Sequence, residues 1–232
     1  MKNSILKIGI PSKGRLKDQS LLMLKKNKID IKSVKRSYIT EVKNLKNIEV
    51  IFLHAREIVE RLSDGSVDIG ISGFDLCNES LPGIKKNIKI FKRLNFGFAN
   101  LVVAIPKDWI DVQTIADLEE ISFNFKNKNS GKLRIATKYP NLTNDFLNSK
   151  GVTQYKIVNS LGATEIYPLT LQSEIITDIT STGSTLRANK LRILKDGLIL
   201  KSSACLIASK KSLRENTKKK IIKKFLRKIR SF

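Results

Sequence analysis

The residues best suited to chemistry in this chain lie in the run Ile-Ile-Thr-Asp-Ile-Thr-Ser-Thr-Gly-Ser-Thr-Leu, from Ile175 to Leu186. Its first half is apolar and β-branched with one carboxylate, Asp178, near its end. That is the pattern of a buried strand surfacing at the edge of a sheet. The second half is a loop of small hydroxyl residues around Gly183. Such a loop suits a phosphate, because backbone N–H groups can converge on the anion and a glycine lets the chain approach without a Cβ clash. Ser181, Thr182, Ser184 and Thr185 add hydroxyl donors that bind a dianion without cancelling its charge. A phosphate repels Asp178, but sugar hydroxyls beside it can donate to the carboxylate, so the run as a whole suits a sugar phosphate. An ordinary strand followed by a Ser/Thr/Gly turn has the same appearance, and residue chemistry alone leaves both readings open.

A second anion-binding candidate stands near the start of the chain. The apolar strand Ile5–Ile10 runs into Pro11-Ser12-Lys13-Gly14-Arg15-Leu16, a glycine between two cations, with a helix expected over Asp18–Lys26. A solvated turn fits these residues as well. Ile48–Leu53 alternates as a strand, and Ala55–Leu62 follows as a helix with Arg56 and Glu57 in its first turn. Residues 65–75 read as a turn, a buried strand and a loop closed by Gly73. This strand–helix–strand alternation predicts a parallel sheet with short connections.

Further elements must carry the second half of the chain. The apolar runs Ile88–Phe91 and Leu101–Ile105 flank Asn95-Phe96-Gly97-Phe98, where the chain is expected to cross into a second lobe. Thr114–Phe125 is a helix with Thr114 and Asp117 in capping-box positions. Lys126–Lys132 reads as an exposed loop, Leu133–Thr137 as a strand, and the next helix stops at Lys150-Gly151. Tyr155–Val158 is another strand, followed by Ser160–Glu165 and the phosphate-type loop. Leu191–Ala208 supplies return strands. Ser212–Ile229 is one basic amphipathic helix, with Ser212 and Glu215 in capping-box spacing and its apolar stripe docked on its own domain. A membrane or a partner is the other reading of that stripe.

The 232 residues carry 44 basic and 21 acidic side chains, a formal charge of +23. The excess is mostly lysine, spread from Lys2 to Lys228 rather than gathered in one motif, and no aromatic platforms interleave with it. Nucleic acid is therefore not expected as a partner. Cys77 and Cys205 read as reduced, part-buried thiols of a cytoplasmic protein. With His54 as the only histidine and no Cys/His cluster, no metal held by protein side chains is expected. The sequence shows no signal-peptide segment and no run long enough to cross a bilayer.

Six segments together resemble the ATP phosphoribosyltransferases. They are Pro11–Leu16, Asp68–Asp75, Arg134–Thr143, Gly162–Glu165, Asp178–Leu186 and Ser202–Ala208, in order over nearly the whole chain. The resemblance implies an α/β fold of two lobes of the type II periplasmic-binding-protein kind, with the active site in the cleft between them. Lobe I would comprise 1–95 plus about 190–232, and lobe II 96–189. The implied reaction moves phosphoribose from phosphoribosyl pyrophosphate to N1 of the adenine of ATP, releasing pyrophosphate with Mg²⁺ present, as the first step of histidine biosynthesis. By the same resemblance Asp178, Ser181, Thr182, Gly183, Ser184, Thr185, Leu186, Glu165 and Gly73 bind substrate. Lys13, Arg15 and Arg56 face the polyphosphate groups, and Arg36 lies near the same anions. Adenine N1 carries no proton at neutral pH, so no strong base is needed and His54 is read as structural. The length resembles the short form, which implies a dimer of catalytic chains and a separate regulatory subunit similar to histidyl-tRNA synthetase. A solute-binding module on the same fold is the rival reading. The chain departs from the family pattern at Glu57, where aspartate is usual, and at Leu171, where a glycine ahead of the donor loop is usual.

Overall fold

The computed structural model describes residues 5–32, 37–127 and 131–229. The chain forms two units, Met1–Phe98 with Ser203–Phe232, and Ala99–Ser202. The first opens with β1 (Leu6–Pro11), α1 (Gly14–Lys26), β2 (Ile39–Glu41), β3 (Ile48–Leu53), α2 (Ala55–Asp64) and β4 (Ile69–Gly73). It continues through α3 (Phe74–Glu79), α4 (Pro82–Asn87) and β5 (Ile88–Arg93). β1 pairs in parallel with both β3 and β4, as the alternation of strands and helices predicts.

The second unit contains β6 (Ala99–Pro106), α5 (Ile115–Asn127), β7 (Leu133–Thr137), α6 (Pro140–Ser149) and β8 (Tyr155–Asn159). A 3₁₀ turn at Thr164–Ile166 leads to β9 (Ile175–Thr180), α7 (Ser184–Ala188) and β10 (Leu191–Ser202). The strand order is β10-β6-β9-β7-β8, with β9 parallel to β7 and antiparallel to β6. Successive residues of β9 alternate between faces: Ile175 joins the core with Leu118 and Leu147, and Ile176 joins the opposite one with Leu186. Thr114 caps α5 as its spacing predicts: its Oγ1 accepts the Asp117 N–H at 3.3 Å, and the Asp117 carboxylate accepts from the backbone N–H groups of Gln113 and Thr114, each at 2.8 Å. Helix α5 runs on through Asn127, further than Phe125, and residues 128–130 of the expected loop lie outside the described residues.

The chain returns to the first unit with β11 (Ala204–Ser209), α8 (Lys210–Arg214) and α9 (Asn216–Lys228), giving the order β2-β3-β1-β4-β11-β5. Two expectations need correction here. The boundary placed at about 190 belongs at Ser202–Ser203, because β10 pairs with β6 from Leu191↔Pro106 to Ser202↔Ala99. The segment Leu191–Ala208 thus spans both sheets, and the exchange falls at its polar Lys201-Ser202-Ser203 break. At the other end Phe96, 8% exposed, belongs to the core of the first unit.

The C-terminal segment is two helices, not one. Glu215 breaks it with φ −79°, ψ 115°. Ser212 is not a helix cap, since its hydroxyl donates to the buried Asp68 carboxylate at 2.6 Å. Asp68 also accepts from the Lys7 N–H at 2.8 Å and from the Lys218 ammonium at 2.9 Å. This long-range clamp outweighs the local capping-box pattern. The apolar stripe of α9 docks on its own unit, with Ile222, Phe225 and Ile229 in the core beside Leu6 and Ile8.

On the opposite face of that sheet α2 packs close. A Cβ on Gly70 would lie 2.4 Å from Ile58 Cγ2, so only glycine leaves room for the helix at this distance. Among the described residues no helix is long and apolar enough to cross a membrane.

Candidate active site

In the second unit, the end of β9 and the loop after it enclose a cavity of about 270 Å³, lined by Glu165, Asp178 and residues 179–182 and 184–186. Gly183 stands at the head of α7 with φ +71°, a left-handed conformation that a side chain disfavours. Its N–H donates to Thr180 Oγ1 at 2.9 Å, and the Ser184 N–H to Thr182 Oγ1 at 3.3 Å. The loop's own hydroxyls therefore hold its backbone donors in place. Ser181, Thr182, Ser184 and Thr185 are exposed. Leu186 is 3% exposed and sits in the core with Ile176 and Leu191, so its side chain anchors the loop.

Asp178 ends the buried part of β9, opposite Val102 of β6. Burial pushes its carboxyl above the ordinary Asp value, and Glu165 adds to the rise. The Ile179 N–H, donating to Oδ1 at 2.8 Å, and the charge of Lys138 oppose it. Two carboxylates in one cavity suit hydroxyl donors such as those of a sugar, with the hydroxyl loop beside them for its phosphate.

Behind this cavity lies a group that the residue-by-residue reading missed. Thr177 Oγ1 donates to Thr137 Oγ1 at 2.7 Å and lies 2.6 Å from Thr143 Oγ1, and all three residues are fully buried. Thr137 Oγ1 also accepts the Tyr139 N–H at 2.9 Å, and its carbonyl accepts the Ser160 N–H. The hydroxyls tie the ends of β7 and β9 together just where Lys138 and Asp178 emerge. The sequence signal was faint: threonines two residues before Tyr139 and one before Asp178, inside strands where threonine is unremarkable.

The cations belong to the first unit. β1, β3 and β4 are parallel, so their carboxyl ends share one sheet edge, where α/β sheets place their ligands. Lys13, Gly14 (φ +74°) and Arg15 open α1 after β1, and the Ser12 N–H extends the ladder to Leu53 O at 2.8 Å. Arg56 lies in the first turn of α2 after β3, and Gly73 ends β4. Lys13 and Arg15 are exposed, and among the described residues neither has an ion-pair partner. A Cβ on Gly73 would lie 2.3 Å from Asp75 Oδ1, so this glycine accommodates that carboxylate. Arg36 lies outside the described residues.

Other singled-out residues have structural places. Arg134, at the start of the motif that ends at Thr143, is bound by Glu174: its N–H donates to Oε2 at 2.6 Å, and Nη2 lies 2.5 Å from Oε1. It clamps the entry ends of β7 and β9, away from the ends that carry the cavity residues. His54 is exposed at the start of α2 and caps it through no side-chain bond. Leu171 adopts a left-handed backbone, φ +56°, the conformation that glycine takes most readily. Cys77 and Cys205 are buried free thiols, and burial pushes Cys205 up to about 11.

The family model "HisG: ATP phosphoribosyltransferase" matches residues 54–231. An ATP phosphoribosyltransferase of Mesorhizobium japonicum is 47% identical over 90% of this chain and 91% of its own length. One from a Chelativorans species is 46% identical over 88% and 90%. Among solved structures, the ATP phosphoribosyl transferase (HisG:HisZ) complex of Thermotoga maritima matches with TM-score 0.75 and 28% identity, covering 97% of this chain and 96% of that one. The alkanesulfonate-binding protein SsuA of Xanthomonas axonopodis matches with TM-score 0.54 at 14% identity over 97% of this chain and 72% of that one, a likeness of fold alone. With the two-sheet α/β fold of type II periplasmic-binding proteins and a family match over most of its length, the chain belongs to the HisG family of ATP phosphoribosyltransferases.

Proposed function

We propose that this chain catalyses the first step of histidine biosynthesis, transfer of phosphoribose from phosphoribosyl pyrophosphate to N1 of ATP, in the cytoplasm. Family membership supports the reaction, and one observation carries its assignment to a site: the cavity that joins Asp178 and Glu165 to the 181–185 loop. The 5′-phosphate takes the loop's exposed hydroxyls and the N–H groups not already bound to them, while the ribose hydroxyls donate to the two carboxylates. In the reaction the bond from C1′ to the pyrophosphate oxygen breaks, with its electron pair leaving on pyrophosphate, and N1 of adenine forms the new bond to C1′. Negative charge grows on the leaving group, so cations placed where it develops lower the barrier. Lys13, Arg15 and Arg56 are the candidates. No covalent nucleophile or strong base is required.

Magnesium enters as part of the substrate, on phosphate oxygens. Among the described residues no three His, Cys, Asp or Glu side chains are grouped to hold a metal. We further propose that catalytic chains pair as dimers and work with a separate regulatory subunit similar to histidyl-tRNA synthetase. The likeness to a HisG:HisZ complex supports that partnership. The reaction is tested by incubating the purified chain with ATP, phosphoribosyl pyrophosphate and Mg²⁺ and looking for phosphoribosyl-ATP by mass spectrometry. Tight substrate binding with no such product would instead favour a binding module.

A further inference from the structure

Three fully buried threonines each stand one residue before a charged group at or beside the phosphate cavity: Thr137 before Lys138, Thr164 before Glu165 and Thr177 before Asp178. Glu165 and Asp178 line the cavity, and the charge of Lys138 reaches Asp178. Burying a hydroxyl costs free energy unless it is hydrogen-bonded, and valine has nearly the same shape, so packing alone does not account for threonine here. The hydroxyls form a line of fixed sense. Thr177 gives its one proton to Thr137 Oγ1 at 2.7 Å, which leaves Thr143, 2.6 Å away on α6, as the donor to Thr177. Thr137 Oγ1 also takes the Tyr139 N–H at 2.9 Å. The Thr137 carbonyl accepts the Ser160 N–H at 2.9 Å, and Ser160 Oγ lies 2.9 Å from Thr164 Oγ1. The line therefore joins the backbone under Lys138, Glu165 and Asp178.

We propose that Thr143, Thr177 and Thr137, with Ser160 and Thr164, are positioning residues that hold Asp178 and Glu165 in register to receive the ribose of phosphoribosyl pyrophosphate. The inference rests on the function proposed above and adds residues to its site. None of the five lines the cavity, so they act through the residues that follow them. The strand pairing shows why hydroxyls are needed. β9 stays paired with β6 as far as Thr180, but its last partner on β7 is Thr137, opposite Thr177. Asp178 points to the other face of the sheet from Thr177, as alternate strand residues do. Its position relative to β7 and to the Glu165 turn is thus carried by the hydroxyl bonds beneath it. Two carboxylates that accept from neighbouring hydroxyls of one sugar must keep a fixed spacing, because such bonds weaken steeply outside a narrow range of distance and angle.

Calorimetric titration of the purified chain with phosphoribosyl pyrophosphate and Mg²⁺ tests this without depending on turnover. Thr177→Val keeps the side-chain shape, leaves the Thr143 hydroxyl without its acceptor and removes a donor from Thr137. Its dissociation constant is expected to rise about tenfold. Thr177→Ser restores the hydroxyl and is expected to stay within about threefold of wild type. Placed in an Asp178→Asn background, Thr177→Val is expected to weaken binding by no more than about threefold further, since the carboxylate it aligned has changed. Thr143→Val leaves no buried donor unpaired and serves where Thr177→Val does not fold, with a rise of about threefold expected. Ser122→Ala removes another fully buried hydroxyl of the same unit, bonded to Glu119 O at 2.7 Å on α5, and is expected to bind as wild type does. Wild-type affinity in the valine variants, equal weakening by serine and valine at 177, or the full loss retained beside Asp178→Asn overturns the positioning role. So does an equal loss in Ser122→Ala, which would mark a general effect of lowered stability. A wild-type chain that does not bind phosphoribosyl pyrophosphate overturns the reading of the cavity itself, and this role with it.

Discussion

At Asp178 two demands conflict. Sugar hydroxyls need an accepting carboxylate, while burial and the nearby Glu165 raise its pKa above the ordinary 3.8. A carboxyl whose folded pKa is raised holds its proton more tightly in the native state than in the unfolded chain. Its contribution to stability is therefore fully present below about pH 3.8 and is lost as pH rises through the folded value. Asp178→Asn, uncharged at every pH, should melt at a higher temperature than wild type at pH 7, with the advantage closing toward pH 3.8. Its kcat/KM should fall about 10- to 100-fold, the loss of hydrogen bonds worth about 1–3 kcal/mol. Parallel melting curves across pH would remove the charge argument, and unchanged kinetics would remove Asp178 from the site. Arg56, proposed to act on charge that grows only in the transition state, makes a different prediction. Arg56→Ala should slow the chemical step in single-turnover experiments more than it weakens ATP binding. A pure loss of affinity would contradict that role.

At the scale of elements, the sheet edge of the first unit works because α2 lies close against it. Gly9 and Gly70 face Ile58, and a Cβ on Gly70 would overlap Ile58 Cγ2 and press Leu62 Cδ1 at 3.1 Å. Gly70→Ala should cost about 1–3 kcal/mol by overpacking. It should also lower turnover, because the helix that moves carries Arg56 in its first turn. Adding Ile58→Ala reopens the space, so urea unfolding of the double variant should show less loss than the two single losses summed. Strict additivity would mean that the two positions do not compete for the same volume. The Asp68 clamp acts on the same scale, tying α8 and α9 back to the sheet through Ser212 and Lys218.

For the whole molecule, the question is where regulation resides. The regulatory-subunit proposal predicts that the purified chain, assayed alone, keeps its activity when histidine is added. Strong inhibition by histidine without a second protein would locate the regulatory site within these residues and end the proposal. The charge of +23 bears on the same scale. It is spread over the surface as lysine and attracts anionic substrates from all sides.

Much of this was legible in the sequence, for local reasons. Hydrophobic periodicity placed β1, β3, β4, β7 and β9 and most helices, because the side-chain period of a strand or helix is set by its own backbone. The Asp178–Leu186 run reads as a phosphate-type loop because its hydroxyls and glycine are consecutive, and the structure gathers it with Glu165 into one cavity. Tertiary structure decided what depends on distant partners. Pairing with β6 carried β10 to Ser202, past the polar Lys195-Asp196-Gly197 break that comes first in the sequence. Asp68 took Ser212 out of a capping box that its spacing predicted. Glu174 made Arg134 a clamp, and three threonines far apart in the chain met as one buried network behind the cavity. In each case a long-range hydrogen bond, ion pair or strand pairing decides the outcome over a local preference worth about 1 kcal/mol or less, and no local pattern records it.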